Sequence, residues 1–235
     1  MGFGIQWELM PTLYIVGTPI GNLEDITLRA LRILKEVEVV LCEDTRVTKR
    51  LLARYEISTP VMAYHAHSTS AQHKKILDLL AGGKSLALVT DAGTPGISDP
   101  GSKLVELVYQ EFDGAVPIVG VPGPSALTTA LSVSGLPSSE FLFLGFLPHK
   151  KGRDKYVTTA LASPCTVVLY ESPHRIEKLL TALIDRAPER TIVVARELTK
   201  IHEEVKRGTP GELLALLVSE PEKRRGEFVV MITPQ

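Results

Sequence analysis

The chain has 235 residues, 44% of them hydrophobic and 23% charged, with a formal net charge of −1. That composition excludes a disordered chain, a collagen and a disulfide scaffold, and the near-neutral charge gives no general attraction to nucleic acid or membrane. The apolar runs, Phe141–Leu147 among the longest, fall short of the ~18 residues a membrane helix needs, so no membrane partner is expected.

Residues 1–10 read as an N-terminal extension without the basic start or apolar core of a secretory signal. The first strand is Leu13–Gly17, and it leads into Gly17-Thr18-Pro19-Ile20-Gly21-Asn22. Asp25-Ile26-Thr27-Leu28 opens a helix with Leu28, Leu31 and Leu34 on one side. Val37–Cys42 is the second strand and ends in Glu43-Asp44-Thr45-Arg46. Gly82-Gly83-Lys84-Ser85 resembles the end of a phosphate loop. Asp78 stands where that motif needs glycine, and a strand follows instead of a helix, so it reads as a helix C-cap and turn.

Leu86–Thr90 is the next strand and feeds the long loop Asp91–Gly101. Asp99-Pro100 offers an N-cap and an N1 proline to a helix striped by Leu104, Leu107 and Val108. Val116–Val121 is a strand ending in Pro122-Gly123-Pro124-Ser125-Ala126. Phe141–Phe146 follows, and then a basic run, His149–Lys155. Thr166–Tyr170 leads to Glu171-Ser172-Pro173-His174-Arg175, where Ser172-Pro173 opens a helix carrying Ile176, Leu179, Leu180 and Leu183. Thr191–Ala195 leads to Arg196-Glu197-Leu198-Thr199-Lys200. Thr209-Pro210-Gly211-Glu212 is a capping box, and Phe228–Thr233 is the last strand.

Most of these strands are apolar throughout, as strands covered on both faces are. Strands alternating with capped helices give an α/β fold. The Gly/Pro-rich segment Gly120–Pro124 divides it into two α/β domains, residues 11–121 and 122–235. Cys42 and Cys165 sit in apolar runs, which suits buried thiols in a reducing cytoplasm. His65 and His67 lack a third partner of metal-ligand spacing, so no metal is expected.

Three glycine/proline loops each follow a strand. Glycine lets a backbone approach a ligand closely, and ligands of open α/β sheets bind beyond the carboxyl ends of the strands. Three charged segments also follow strands. In them Arg46, Arg175 and Arg196 suit phosphate, while Glu171, Glu197 and His174 could handle protons.

The run Leu13–Leu23 resembles the opening of the tetrapyrrole methylase superfamily. Glu43–Arg46, Asp91–Gly101, Val121–Ala126 and Glu171–Arg175 resemble one branch of it, whose members methylate the ribose 2'-hydroxyl of a cytidine in 16S rRNA. The resemblance spans about Pro11 to Thr233. It implies a homodimer with S-adenosylmethionine in a cleft between two α/β domains, and 16S rRNA or the small ribosomal subunit as partner. By position, Ala92, Gly93 and Thr94 would hold the methionine end of the cofactor with Ile97 beside them. Ser125 and Ala126 match a pair near the methionine end, and Glu171 and Leu198 match positions flanking adenosine. Ile20, also at the cofactor, replaces a proline of the tetrapyrrole enzymes, and Asn22 replaces an aspartate, which argues against a tetrapyrrole substrate.

The superfamily gives no shared base, so Glu171, Glu197, His174 and Asp44 all stand for that role. Arg46, Lys150, Lys151, Arg153, Arg175 and Arg196 stand for gripping RNA. A small-molecule methylase, or a module that binds S-adenosylmethionine without turnover, are the alternatives.

Overall fold

The computed structural model describes residues 10–148 and 152–235. The chain divides into two compact units, Met1–Ser125 and Ala126–Gln235. The division falls after Ser125, a few residues beyond the expected Val121, because Gly123 packs back onto Gly17 of the first unit.

The first unit has strands β1 (Leu13–Val16), β2 (Val39–Cys42), β3 (Val61–Ala63), β4 (Leu86–Leu88) and β5 (Ile118–Val121). They form one sheet, β3-β2-β4-β1-β5, with every pairing parallel. Helices α1 (Leu28–Glu36), α2 (Thr45–Arg54), α3 (Ser70–Ala81) and α4 (Ser102–Phe112) cover it. Ala30, Ile33 and Leu34 of α1 and Leu51 and Leu52 of α2 pack against Val16, Val40, Cys42 and Ala87. Ile76 and Leu80 of α3 and Leu104 and Val108 of α4 pack against the alternate strand residues Leu13, Leu41, Leu86 and Leu88. Period-two alternation thus sends two helices to each face. Connections leaving β1 and β2 run over one face and those leaving β3 and β4 over the other, so β4 lies between two strands whose chains both depart over the face opposite to its own.

Local chemistry sets most helix starts. Thr27 caps α1, accepting a hydrogen bond from Ala30 N at 3.0 Å. Thr69 and Gln72 form a capping box on α3. The cap expected at Asp99 does not form. The helix α4 starts after Gly101, whose φ of 152° lies outside the helical region, and it has no side-chain cap.

The second unit has α5 (Ala126–Ser134), β6 (Phe141–Phe146), α6 (Arg153–Leu161), β7 (Thr166–Glu171), α7 (Ile176–Ile184), β8 (Ile192–Arg196), β9 (Glu204–Gly208), α8 (Pro210–Ser219) and β10 (Phe228–Ile232). Its sheet runs β6-β7-β10-β8-β9, with β6 and β7 parallel and the other pairs antiparallel. One face is buried under α6, α7 and α8 around Val157, Leu169, Leu180, Val194, Leu213 and Phe228. The expected box Thr209–Glu212 caps α8, whereas Ser172 does not cap α7, which starts after a turn through Arg175. Cys42 is buried as expected, while Cys165 is half-buried. No helix among the described residues is long and apolar enough to cross a membrane.

Candidate functional site

Parallel pairing puts the ends of β1, β2, β4 and β5 on one edge of the first sheet, and their loops are tied together there. Thr18 and Gly93 exchange backbone hydrogen bonds of 2.9 and 3.1 Å, joining the loop after β1 to the loop after β4. Thr18 Oγ1 donates to Thr90 O at 3.1 Å. Gly17 and Gly123 touch backbone to backbone. A Cβ on Gly123 would stand 2.7 Å from Gly17 O, and one on Gly17 would stand 2.8 Å from Gly123 N. These two glycines are therefore needed for contact between the loops after β1 and β5. Gly93 has a φ of 80°, and a Cβ there would meet only Ile20 Cγ2, at 3.7 Å. Ile20 is buried beneath that glycine, while Ala92 and Ile97 are exposed.

The loop after β2 joins the same edge, where Asp44 N donates to Asp91 Oδ1 at 3.1 Å. Asp44 caps α2, accepting from Arg46 N at 2.8 Å, and pairs with the Arg46 guanidinium at 2.6 Å. That side-chain contact holds its carboxyl well below the usual carboxylate range, so it is a poor base. Two acidic neighbours behave oppositely. Burial, then Asp91, pushes Glu43 up. Burial, then the charges of Glu43 and Asp91, pushes Asp99 up to about 6. Asp99 lies on the loop read from sequence only as a helix cap, and no described residue donates a hydrogen bond to it. The signal that it is a loop residue was Pro100-Gly101 directly after it.

In the second unit β7 and β8 run the same way on either side of β10. Register places Glu171, Phe228, Arg196 and Glu204 in one row. Glu171 is buried. Its carboxylate pairs with Arg153 at 2.8 Å and Arg175 at 2.9 Å and accepts from Ser172 N at 2.9 Å. Arg175 also donates to Leu147 O at 2.7 Å. This corrects three expectations. Glu171 is a staple joining β7, α6 and α7, with no oxygen left to take a proton. Arg153 and Arg175 each pair with it, and both side chains are too buried to grip phosphate. Arg196 is half-buried under α8, with its Nε lacking a partner among the described residues.

Glu197, at a φ of 51°, pairs with Lys200 at 2.9 Å and accepts from Glu227 N at 2.9 Å. Burial alone would raise its pKa, but the Lys200 and Glu227 hydrogen bonds bring it below the ordinary value. That also weakens it as a base. Leu198 beside it is buried and His174 is exposed. Ser125 ends the first unit after β5, and Ala126 opens α5. Arg46 is exposed, as are Lys49 and Arg50 on α2. Lys150 and Lys151 lie outside the described residues. His65 and His67 are exposed, and among the described residues no group of three His, Cys, Asp or Glu could hold a metal ion.

The sequence profile described as "Tetrapyrrole (Corrin/Porphyrin) Methylases" matches residues 12–214. The chain belongs to the tetrapyrrole methylase family. Among the relatives of this methylase, the ribosomal RNA small subunit methyltransferase I of Thermotoga maritima is 44% identical over 224 residues, covering 95% of this chain and 99% of the relative. The protein of the same name from Xylella fastidiosa is 48% identical over 223 residues, covering 94% and 81%. Solved structures share the fold. A cobalt precorrin-4 methyltransferase has a TM-score of 0.68 at 22% identity, covering 99% of this chain and 98% of its own. A diphthine synthase has 0.69 at 15% identity, covering 94% and 90%. S-adenosylmethionine is the methyl donor of the tetrapyrrole methylases. The first unit's edge fits such a group. Gly93 leaves space a side chain would fill, Gly17 and Gly123 draw the loops together, and exposed Ala92 and Ile97 offer apolar contact.

Proposed function

We propose that this methylase transfers the methyl group of S-adenosylmethionine to the ribose 2'-hydroxyl of a cytidine in 16S rRNA, acting in the cytoplasm as a homodimer on the small subunit or its rRNA. The carrying observation is identity of 44% and 48%, over nearly the whole chain, to proteins named for methylating small-subunit rRNA. Ala92, Gly93 and Thr94 would hold the donor, with Ile20 and Ile97 beside them and Ser125 and Ala126 following β5.

When bound, the donor supplies an electron-poor methyl carbon that leaves sulfur for the acceptor oxygen. The residues around it must align that oxygen and accept its proton. Asp99 suits the second task better than the groups the sequence suggests. It lies on the donor loop, no described residue donates to it, and its pKa of about 6 is near the working pH. Asp44, Glu171 and Glu197 are each held by a cation instead. Lys49 and Arg50 are exposed cations available to phosphates, and Arg46 beside them is exposed while paired with Asp44.

The test is incubation with methyl-labelled donor and either naked 16S rRNA or small subunits, followed by digestion to nucleosides. Label in 2'-O-methylcytidine is expected. Label in neither RNA, or on a base, would overturn the reading.

A further inference from the structure

Positive charge in the first unit is gathered on two neighbouring helices. Helix α1 carries Arg29, Arg32 and Lys35 against one acid, Glu36. Helix α2 carries Arg46, Lys49, Arg50 and Arg54 against none. All of these cations are exposed. Helices elsewhere are mixed or acidic: α4 pairs Lys103 with Glu106, and α8 has Glu212 and no cation. The whole chain has a net charge of −1, so this is a local field and not a general basicity.

Both helices turn an apolar stripe inward onto the same side of the sheet, around Ile33 and Leu34 on α1 and Leu51 and Leu52 on α2. Helical spacing then points Arg32, Arg46 and Arg50 outward, with the other cations on their flanks. Tyr55 Oη donates to Leu23 O, and Thr59 Oγ1 donates to Leu34 O at 2.6 Å, so the two helices are tied side by side. Each begins at the edge where the donor loops meet and runs ~14–15 Å away from it, toward the start of the next strand.

The helices gain nothing from this pattern. Neither has an acid in its first turn, where the dipole favours one, and Arg29 and Arg46 stand there instead. Arg46, Arg50 and Arg54 follow each other at i, i+4 and i+8, like charge over like. The chain answers only some of the charge. Glu36 takes Arg32, Asp44 takes Arg46, and Arg54 lies over the Tyr55 ring at 5.7 Å. Arg29, Lys35, Lys49 and Arg50 have no ion pair among the described residues.

The charge pattern selects the occupant. A lipid surface needs apolar area as well as cations, and of the large apolar side chains on these helices only Leu28 and Val47 are exposed. A second copy seated across a twofold axis would set these cations against themselves. Rows of phosphates meet the pattern, and phosphate contacts position a nucleic acid without reading its sequence.

We propose that the outer face of α1 and α2 grips phosphates of the RNA flanking the target, so that the substrate extends from the donor loops across this face to Lys35 and Arg54. This rests on the RNA reading above. It adds a second grip, up to ~15 Å from the donor edge, that places the target without touching it.

The test measures binding of naked 16S rRNA across a salt series. The variant R29Q/K35Q/R54Q removes the outlying cations and leaves Arg46, Lys49 and Arg50 in place. The control K74Q/K75Q/K178Q makes the same change of charge at exposed lysines of α3 and α7. The face variant should lose ~0.7–0.9 log units of salt slope for each phosphate contact removed. For three contacts its affinity should fall about 20- to 40-fold less than that of wild type between about 50 and 200 mM salt. The control should keep the wild-type slope, and donor affinity and the thermal midpoint should hold in both. A wild-type slope in the face variant would overturn the proposal, and so would an equal fall in the control. Light scattering in which the face variant alone turns a dimer into a monomer would overturn it too, giving the face to a second copy. So would pelleting with phosphatidylserine vesicles that only the face variant loses, at an unchanged RNA slope. A reduced slope in the face variant, from a protein that leaves 16S rRNA unmethylated, would uphold the grip and reject only the substrate reading.

Discussion

Replacing Glu171 separates a structural carboxylate from a catalytic one. Glu171→Gln removes the anion facing Arg153 and Arg175, which are 2.8 and 2.9 Å away and almost fully buried. Leaving a buried charge without its partner costs about 3–5 kcal/mol. For a protein of this size each kcal/mol moves the melting temperature by roughly 2–4 °C, so a fall of ~6–20 °C is expected. Arg153 already has Nε and Nη1 without acceptors among the described residues. Replacing the whole cluster, as E171L/R153M/R175L, should therefore recover most of the loss, because well-packed apolar groups replace buried ion pairs at little or no cost. The assay is thermal unfolding followed by circular dichroism, with single-turnover methyl transfer measured below the variant's transition. A melting shift under ~2 °C together with a fall of more than 100-fold in methyl transfer would refute the staple and return Glu171 to the chemistry.

Asp99→Asn should lower kcat by about 100-fold or more while donor affinity holds, and the wild-type rate should rise with pH through about 6, where Asp99 ionises. The same variant should be more stable than wild type at pH 8. A carboxyl whose pKa is raised in the folded state costs stability once ionised, and the difference should vanish below pH ~3, where both states are protonated; urea melts at the two pH values check this. Gly123→Ala should abolish donor binding in calorimetry, since its Cβ would stand 2.7 Å from Gly17 O. Gly93→Leu should do the same by filling the space beside Ile20. Neutralising Arg46, Lys49 and Arg50 together should flatten the salt dependence of RNA binding by ~0.7 log units for each phosphate these side chains neutralise in the wild type.

Elements with local causes were legible in the sequence. The apolar strands and the Thr209–Glu212 box depend on residues within one turn of each other, and the structure repeats them. Two strands were missed for a physical reason. The edge strand β9 is Glu204-Val205-Lys206-Arg207-Gly208, whose charges are what an unprotected edge carries. The strand β3 offers only three residues after Pro60. Asp99-Pro100 and Ser172-Pro173 look like helix starts because serine, aspartate and proline serve loops and caps alike. The backbone at Gly101 decides the first case and the turn through Arg175 decides the second. At the site, the glycine loops were legible because parallel topology brings strand ends together. The charged residues were not. Glu171 finds Arg153 only across the packing of α6 on β7, and no spacing announces that pair.

The position of β1 bears on synthesis. It is hydrogen-bonded on both sides, by β4 and by β5, and Leu13 takes Leu86 and Ile118 as its neighbours. The earliest apolar strand therefore waits for the latest ones. Roughly 100 residues must leave the ribosome after β1 before its second edge is covered, ~5–20 s at usual elongation rates. During that interval Leu13-Tyr14-Ile15-Val16 is an open apolar template on a growing chain. Slower translation through Leu86–Val121 should lengthen that exposure and lower soluble yield, and a chaperone that shields extended apolar segments should offset the loss.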